Sequence, residues 1–132
     1  MAAVHTDTLY DLVARHLGTT YEISVSGELD LASADVLADA IRDGLTLAPE
    51  TLVVDLQQVT FLDSSGLRVL IESRHRALKM AVKLVVLRPE GPADRVFALC
   101  GVDALFPRVE ASRAEARFAR PAPEAFLTEW SL

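Results

Sequence analysis

The residues best suited to chemistry stand together at Asp63-Ser64-Ser65-Gly66-Leu67, two hydroxyls and a carboxylate between an apolar run and an amphipathic one. Two readings are open for them. Ser and Asp are preferred helix N-caps, because their oxygens accept bonds from backbone N–H groups that have no partner inside the helix. On that reading they simply start a helix. On the other, one hydroxyl is a phosphoryl acceptor. A helix N-terminus offers free amides and a partial positive charge, so a phosphate is held there without unfolding anything. The modification adds about 1.5 to 2 negative charges, which changes what a partner protein meets more than it changes the fold. Local chemistry does not choose between Ser64 and Ser65.

The elements around this turn follow from the hydrophobic pattern. Leu52-Val53-Val54-Asp55-Leu56 and Leu84-Val85-Val86-Leu87 are short, Val-rich apolar runs that suit strands covered on both faces. Between them the spacing predicts a helix over 64–80. Its inner side would carry Leu67, Leu70, Ile71, Ala77 and Leu78, and its outer side Arg68, Glu72, His75, Arg76 and Lys79. The segment reads as strand, helix, parallel strand with a right-handed crossover. A charged outer face is ordinarily just solvated. Beside an acceptor serine the same row, Arg68, Glu72, His75 and Arg76, could give a docking protein charge complementarity.

Upstream, Leu9 to Leu17 allows either a strand or a helical turn and is taken as a strand. Gly18-Thr19-Thr20 supplies a turn before the strict alternation of Tyr21 to Ser26, so the two runs predict an antiparallel hairpin. Gly27-Glu28-Leu29-Asp30 ends that strand, with Asp30 as a turn or cap residue. Ser33 is then expected to cap a helix to about Leu45, burying Val36, Leu37, Ala40 and Ile41 and ending near Gly44. Downstream, a short helix should turn Val96, Phe97 and Cys100 inward and stop at Gly101. An extended piece is expected from Phe106, and the capping box Ser112 to Glu115 predicts a closing helix to about Arg120. Phe126, Leu127 and Trp130 follow at helical spacing.

Catalysis by Ser64 needs a base within hydrogen-bond reach. His75 lies some three turns down the same helix, about 16 Å away at 1.5 Å per residue. His5 falls in a terminus expected to be mobile, and His16 in the first strand. The elbow G-x-S-x-G is absent, since Leu62 stands where its first Gly belongs. His, Cys and acidic side chains nowhere gather at metal-ligand spacing, and Ser65-Gly66 is too short for a phosphate-cradling loop.

Thirteen basic and nineteen acidic residues give a formal charge of −6 in 132 residues, with the basic ones dispersed. That argues against nucleic-acid binding, which depends on clustered Lys and Arg. Cys100 is the single cysteine and reads as an inert core thiol. No run is long enough to span a bilayer. The N-terminus lacks the basic start and apolar block of a secretory signal, so a cytoplasmic location is expected.

Three motifs carry a family resemblance. Phe61-Leu62-Asp63-Ser64-Ser65-Gly66-Leu67, preceded by Val54-Asp55-Leu56, resembles the signature of STAS domains of the anti-sigma-factor antagonist type. Gly27-Glu28-Leu29-Asp30 resembles that family's second motif, and Cys100-Gly101-Val102-Asp103-Ala104-Leu105-Phe106 its third. The resemblance implies an α/β fold, a mixed sheet of four to five strands with about four helices packed mainly on one face. It covers a core at about 8–110; from its length the whole chain, residues 1–132, reads as a single domain, with the C-terminal helix and tail at 111–132 lying beyond the resemblance. It further implies that Ser64 is phosphorylated by an anti-sigma factor that is itself a serine kinase, with Asp63, Ser65, Gly66 and Asp30 supporting the site. Unmodified, such a protein would bind the anti-sigma factor and free sigma. Phosphorylated, it would let go until a serine phosphatase restored it. No catalytic residue, cofactor, metal, nucleic acid or membrane insertion is implied. The alternative is a STAS-like regulatory subunit of a transport or nucleotide-sensing system.

Overall fold

The computed structural model describes residues 2–6 and 9–108. In chain order the elements are β1 (Ala2–Thr6), β2 (Tyr10–Leu17), β3 (Thr20–Leu29), α1 (Leu31–Thr46), β4 (Thr51–Leu62), α2 (Ser64–Lys79), β5 (Lys83–Leu87) and α3 (Arg95–Leu99). Short 3-10 turns occupy Pro92–Asp94 and Asp103–Leu105. The strands form one sheet in sequence order, antiparallel from β1 to β3 and parallel from β3 to β5.

The hairpin expected from residues 9 to 26 is β2 and β3. Leu12 and Ala14 are 1% exposed opposite Val25 and Ile23, and Gly18, at φ +60, takes the left-handed position of its two-residue turn. Parallel neighbours need crossovers, and right-handed ones over strands in sequential order put both helices on one face. Leu37 and Ile41 of α1 and Leu67 and Leu70 of α2 accordingly join Leu12, Ile23, Leu52, Val54 and Leu56 in one core. Val53, Val85 and Leu87 on the opposite face of the sheet are buried as well, so the central strands are covered on both sides.

Several expectations are corrected. The segment holding His5 is a strand, with His5 opposite Leu12 in register; its run Ala2–Thr6 is uncharged and closes an edge of β2 that would otherwise be open. The strand expected to stop at Leu56 continues to Leu62. Its register against β3 slips between Ser24 and Ser26 and again between Gly27 and Glu28. These two bulges space the inward residues as Leu56, Val59 and Leu62, three apart, which erases the alternation that marks a strand.

In α2, Ile71 is 36% and Leu78 63% exposed, while Val69 and Ser73 are buried. The buried residues of α2 are Gly66, Leu67, Val69, Leu70, Ser73 and Ala77, with Val69 and Ser73 toward α1. In α1, Ser33 is the third residue of the helix and not its cap. Gly44 lies inside the helix, where an added Cβ would meet the Tyr21 ring at 2.5 Å. The helix runs to Thr46, within a residue of the expected end, with Ala48 in the left-handed position at φ +48.

Cys100 is exposed. It is the C-cap of α3, its N–H donating to Val96 O at 3.0 Å. The stop expected at Gly101 is present, at φ +70, with Val102 N–H donating to Phe97 O at 2.9 Å and Gly101 N–H to Ala98 O at 3.0 Å. Phe106 lies edge-on to Phe97 at 5.7 Å between ring centroids. Arg88 ties this end of the chain down. It donates to Asp94, Asp103 and the Phe106 carbonyl, and its guanidinium carbon sits 4.3 Å above the Phe97 ring. The closing helix and tail expected beyond residue 108 lie outside the described residues.

Candidate functional site

The site is assembled where β3 and β4 end side by side. Leu29 and Leu62 are register partners, and both are buried on the helix-bearing face. The next residue in each chain is an aspartate. Asp30 caps α1, its Oδ1 accepting from the N–H groups of Ala32 and Ser33 at 3.1 and 3.2 Å. Asp63 caps α2 in the same way, its Oδ1 accepting from Ser65 and Gly66 at 2.9 and 3.3 Å. Asp63 N–H also donates to Leu29 O at 3.3 Å, which binds the two starts together.

Ser33 completes the arrangement at α1. Its Oγ accepts from Asp30 N–H at 2.9 Å and lies 2.8 Å from the Glu28 carbonyl. The Ser33 amide, then the Ser33 hydroxyl and the Ala32 amide, favour the charged form of Asp30 and hold its carboxyl below the usual carboxylate range. Gly27 allows the preceding strand to reach this point. At φ +88 it lies so close to β2 that a Cβ would fall 2.2 Å from Leu9 O.

With capping assigned to the two aspartates, the serines are released from that duty. Ser64 is the first residue of α2 and is exposed; Ser65 is half-buried. Neither hydroxyl makes a hydrogen bond among the described residues. Both line a groove of about 540 Å³ between α1 and α2, which also takes in Leu31, Asp35, Arg42, Arg68 and Glu72. Gly66 lets α2 start tight against the sheet, since a Cβ there would meet Leu62 Cδ1 at 2.6 Å and Leu29 Cγ at 2.9 Å.

Of the row expected to meet a partner, Arg68 and Glu72 line this groove, and Arg76 lines a smaller recess that extends it along the two helices. His75 is exposed but lines neither. Leu31, 73% exposed directly after Asp30, was not anticipated at the site, because with Ser33 taken as the cap it fell before the helix. Phe61 and Leu9, 49% and 54% exposed, also lie close by. Phe61 pairs in register with Glu28, whose N–H donates to Leu9 O at 2.8 Å.

The arrangement presents a hydroxyl without burying it, with the Ser65 and Gly66 amides taken by the Asp63 carboxylate and the Leu67 amide by the Asp63 carbonyl. No group of three or more His, Cys, Asp or Glu side chains is placed to hold a metal ion among the described residues. No described helix is long and apolar enough to cross a membrane.

Comparison with known proteins bears on the family and the fold. The model of the STAS domain family matches residues 11–116. The anti-sigma-F factor antagonist RsfB of Mycobacterium tuberculosis is 34% identical over 100 residues, covering 76% of this chain and 80% of the relative. The crystal structure of an anti-sigma factor antagonist from Mycobacterium paratuberculosis superposes with a TM-score of 0.69 at 31% identity, covering 81% of this chain and 92% of that one. The Bacillus cell fate determinant SpoIIAA in its phosphorylated form shares the fold, with a TM-score of 0.61 at 19% identity over 81% of this chain and 98% of its own.

Proposed function

The chain belongs to the STAS domain family, and we propose that within it this protein is an anti-sigma factor antagonist, a partner switch set by phosphorylation of Ser64. Unmodified, it binds an anti-sigma factor that is also a serine kinase, and sigma is freed. Phosphorylated, it releases that partner, and a serine phosphatase resets it. It acts by binding and has no catalysis of its own, and it works in the cytoplasm.

The observation that carries this reading is the exposed Ser64 hydroxyl, relieved of capping by Asp63 and facing an open groove. A capping serine would be tied to its own helix; this one is available to a second active centre. Relatedness to proteins named as anti-sigma factor antagonists supports the choice of partner. Ser65, half-buried, shapes the turn, while Asp30, Asp63 and Gly66 fix where the hydroxyl stands. Arg68, Glu72 and Arg76, on the groove and its extension, are the contacts offered to the partner, with His75 at the margin. A phosphate added here brings about 1.5 to 2 negative charges into the docking surface, and like-charge contact and desolvation then weaken the complex.

Incubation with the cognate anti-sigma factor and ATP should place one phosphate on the wild-type protein and on Ser65→Ala, and none on Ser64→Ala. Full labelling of Ser64→Ala would refute the assignment.

A further inference from the structure

We propose that Arg68 clamps the phosphate carried by Ser64 from within the same chain, so that the modified state is held by the protein itself as well as refused by its partner. This rests on Ser64 being the acceptor. Ser64 and Arg68 are four residues apart in α2, which puts their Cβ atoms about 5–6 Å apart on one face. Helical side chains lean toward the N-terminus, so a residue covers the turn before its own. Arg68 therefore reaches back over the turn that Ser64 begins, and the two line the same groove.

Arg68 is exposed and makes no hydrogen bond or ion pair among the described residues, whereas Arg42 is held by Asp39, and Arg88 and Arg108 by Asp94. Its guanidinium is thus available, and its planar fork matches two phosphate oxygens. Two acids face it across or along the groove, Asp35 on α1 and Glu72 one turn further on α2, but neither forms an ion pair with it. The Asp63 carboxylate is engaged with the amides of Ser65 and Gly66. A phosphate dianion competes better for Arg68 than either single carboxylate.

Clamping fills the mouth of the groove and neutralises part of the new charge in place. Release of the partner then comes from a closed surface as much as from repulsion. A carboxylate at position 64 is shorter and carries one charge, so Ser64→Asp should imitate the modified state poorly.

The test uses full-length protein with phosphoserine installed at position 64 during translation, so that it needs no kinase. The second ionisation of the phosphate, ordinarily near pH 6, is followed by phosphorus NMR in wild type, Arg68→Lys and Arg68→Gln. An opposite charge at contact distance favours the dianion. The midpoint should lie lowest in wild type, higher in Arg68→Lys, and higher by roughly half a pH unit or more in Arg68→Gln. Phosphorylation should also raise the melting temperature of wild type more than that of Arg68→Gln, while the unmodified forms melt alike. One midpoint shared by all three proteins overturns the clamp. Failure of any kinase to label Ser64 overturns the functional reading and leaves these values unaffected.

Discussion

Asp30 and Asp63 stand one residue beyond the paired ends of β3 and β4, and each carboxylate accepts from the second and third amides of the helix it starts. Two helices thereby begin at one level, side by side, with an open groove between them. The Ser64 hydroxyl is left outside the capping bonds because Asp63 has already taken that role.

The approach to that level depends on Gly27. Its φ of +88 and the Leu9 carbonyl 2.2 Å from where a Cβ would sit leave no room for a side chain, and the obstacle is backbone. Gly27→Ala should destabilise by about 3 kcal/mol, from left-handed strain plus displacement of β2. Gly91→Ala, with nothing within 4 Å, serves as the control and should change stability little. Urea unfolding of both variants checks the difference; equal midpoints would contradict the role given to Gly27.

Arg88 is partly buried, its side chain 7% exposed, with Asp94, Asp103, the Phe106 carbonyl and the Phe97 ring around it. Removing it leaves acceptors in a partly dry site, so Arg88→Ala should cost about 2 kcal/mol. Lysine cannot serve these directions with one ammonium, and Arg88→Lys should recover less than half of the loss. Thermal unfolding measures both.

Helix α2 ends with Ala81 in the left-handed position at φ +57, Val82 N–H donating to Ala77 O at 2.9 Å. Glycine belongs there on steric grounds. Ala81→Gly should raise stability by about 0.5–1 kcal/mol, the relief of strain exceeding the entropy added to the unfolded chain. A lowered unfolding midpoint would show that the position is not strained.

The sequence made the strand–helix–strand unit and the hairpin before it legible, because their buried runs either alternate, as in Tyr21 to Ser26, or are apolar throughout, as in Leu52 to Leu56. It concealed the second half of β4, where two bulges reset the alternation, and part of the inner side of α2, where Val69 and Ser73 are buried and the large Ile71 and Leu78 point outward. The Asp-Ser-Ser-Gly turn itself was readable as a helix start. What could not be read was the division of labour within it. That depends on a neighbouring strand end, which brings Asp30 and Leu31 alongside and opens the groove onto the serines.

The most direct measurement is the affinity of the purified anti-sigma factor for the unmodified protein and for the same protein carrying phosphoserine at position 64, by titration calorimetry at one salt concentration. Binding should weaken by a factor of about a hundred or more on phosphorylation, a loss of roughly 2.7 kcal/mol. Equal affinity for the two forms would contradict switching at Ser64.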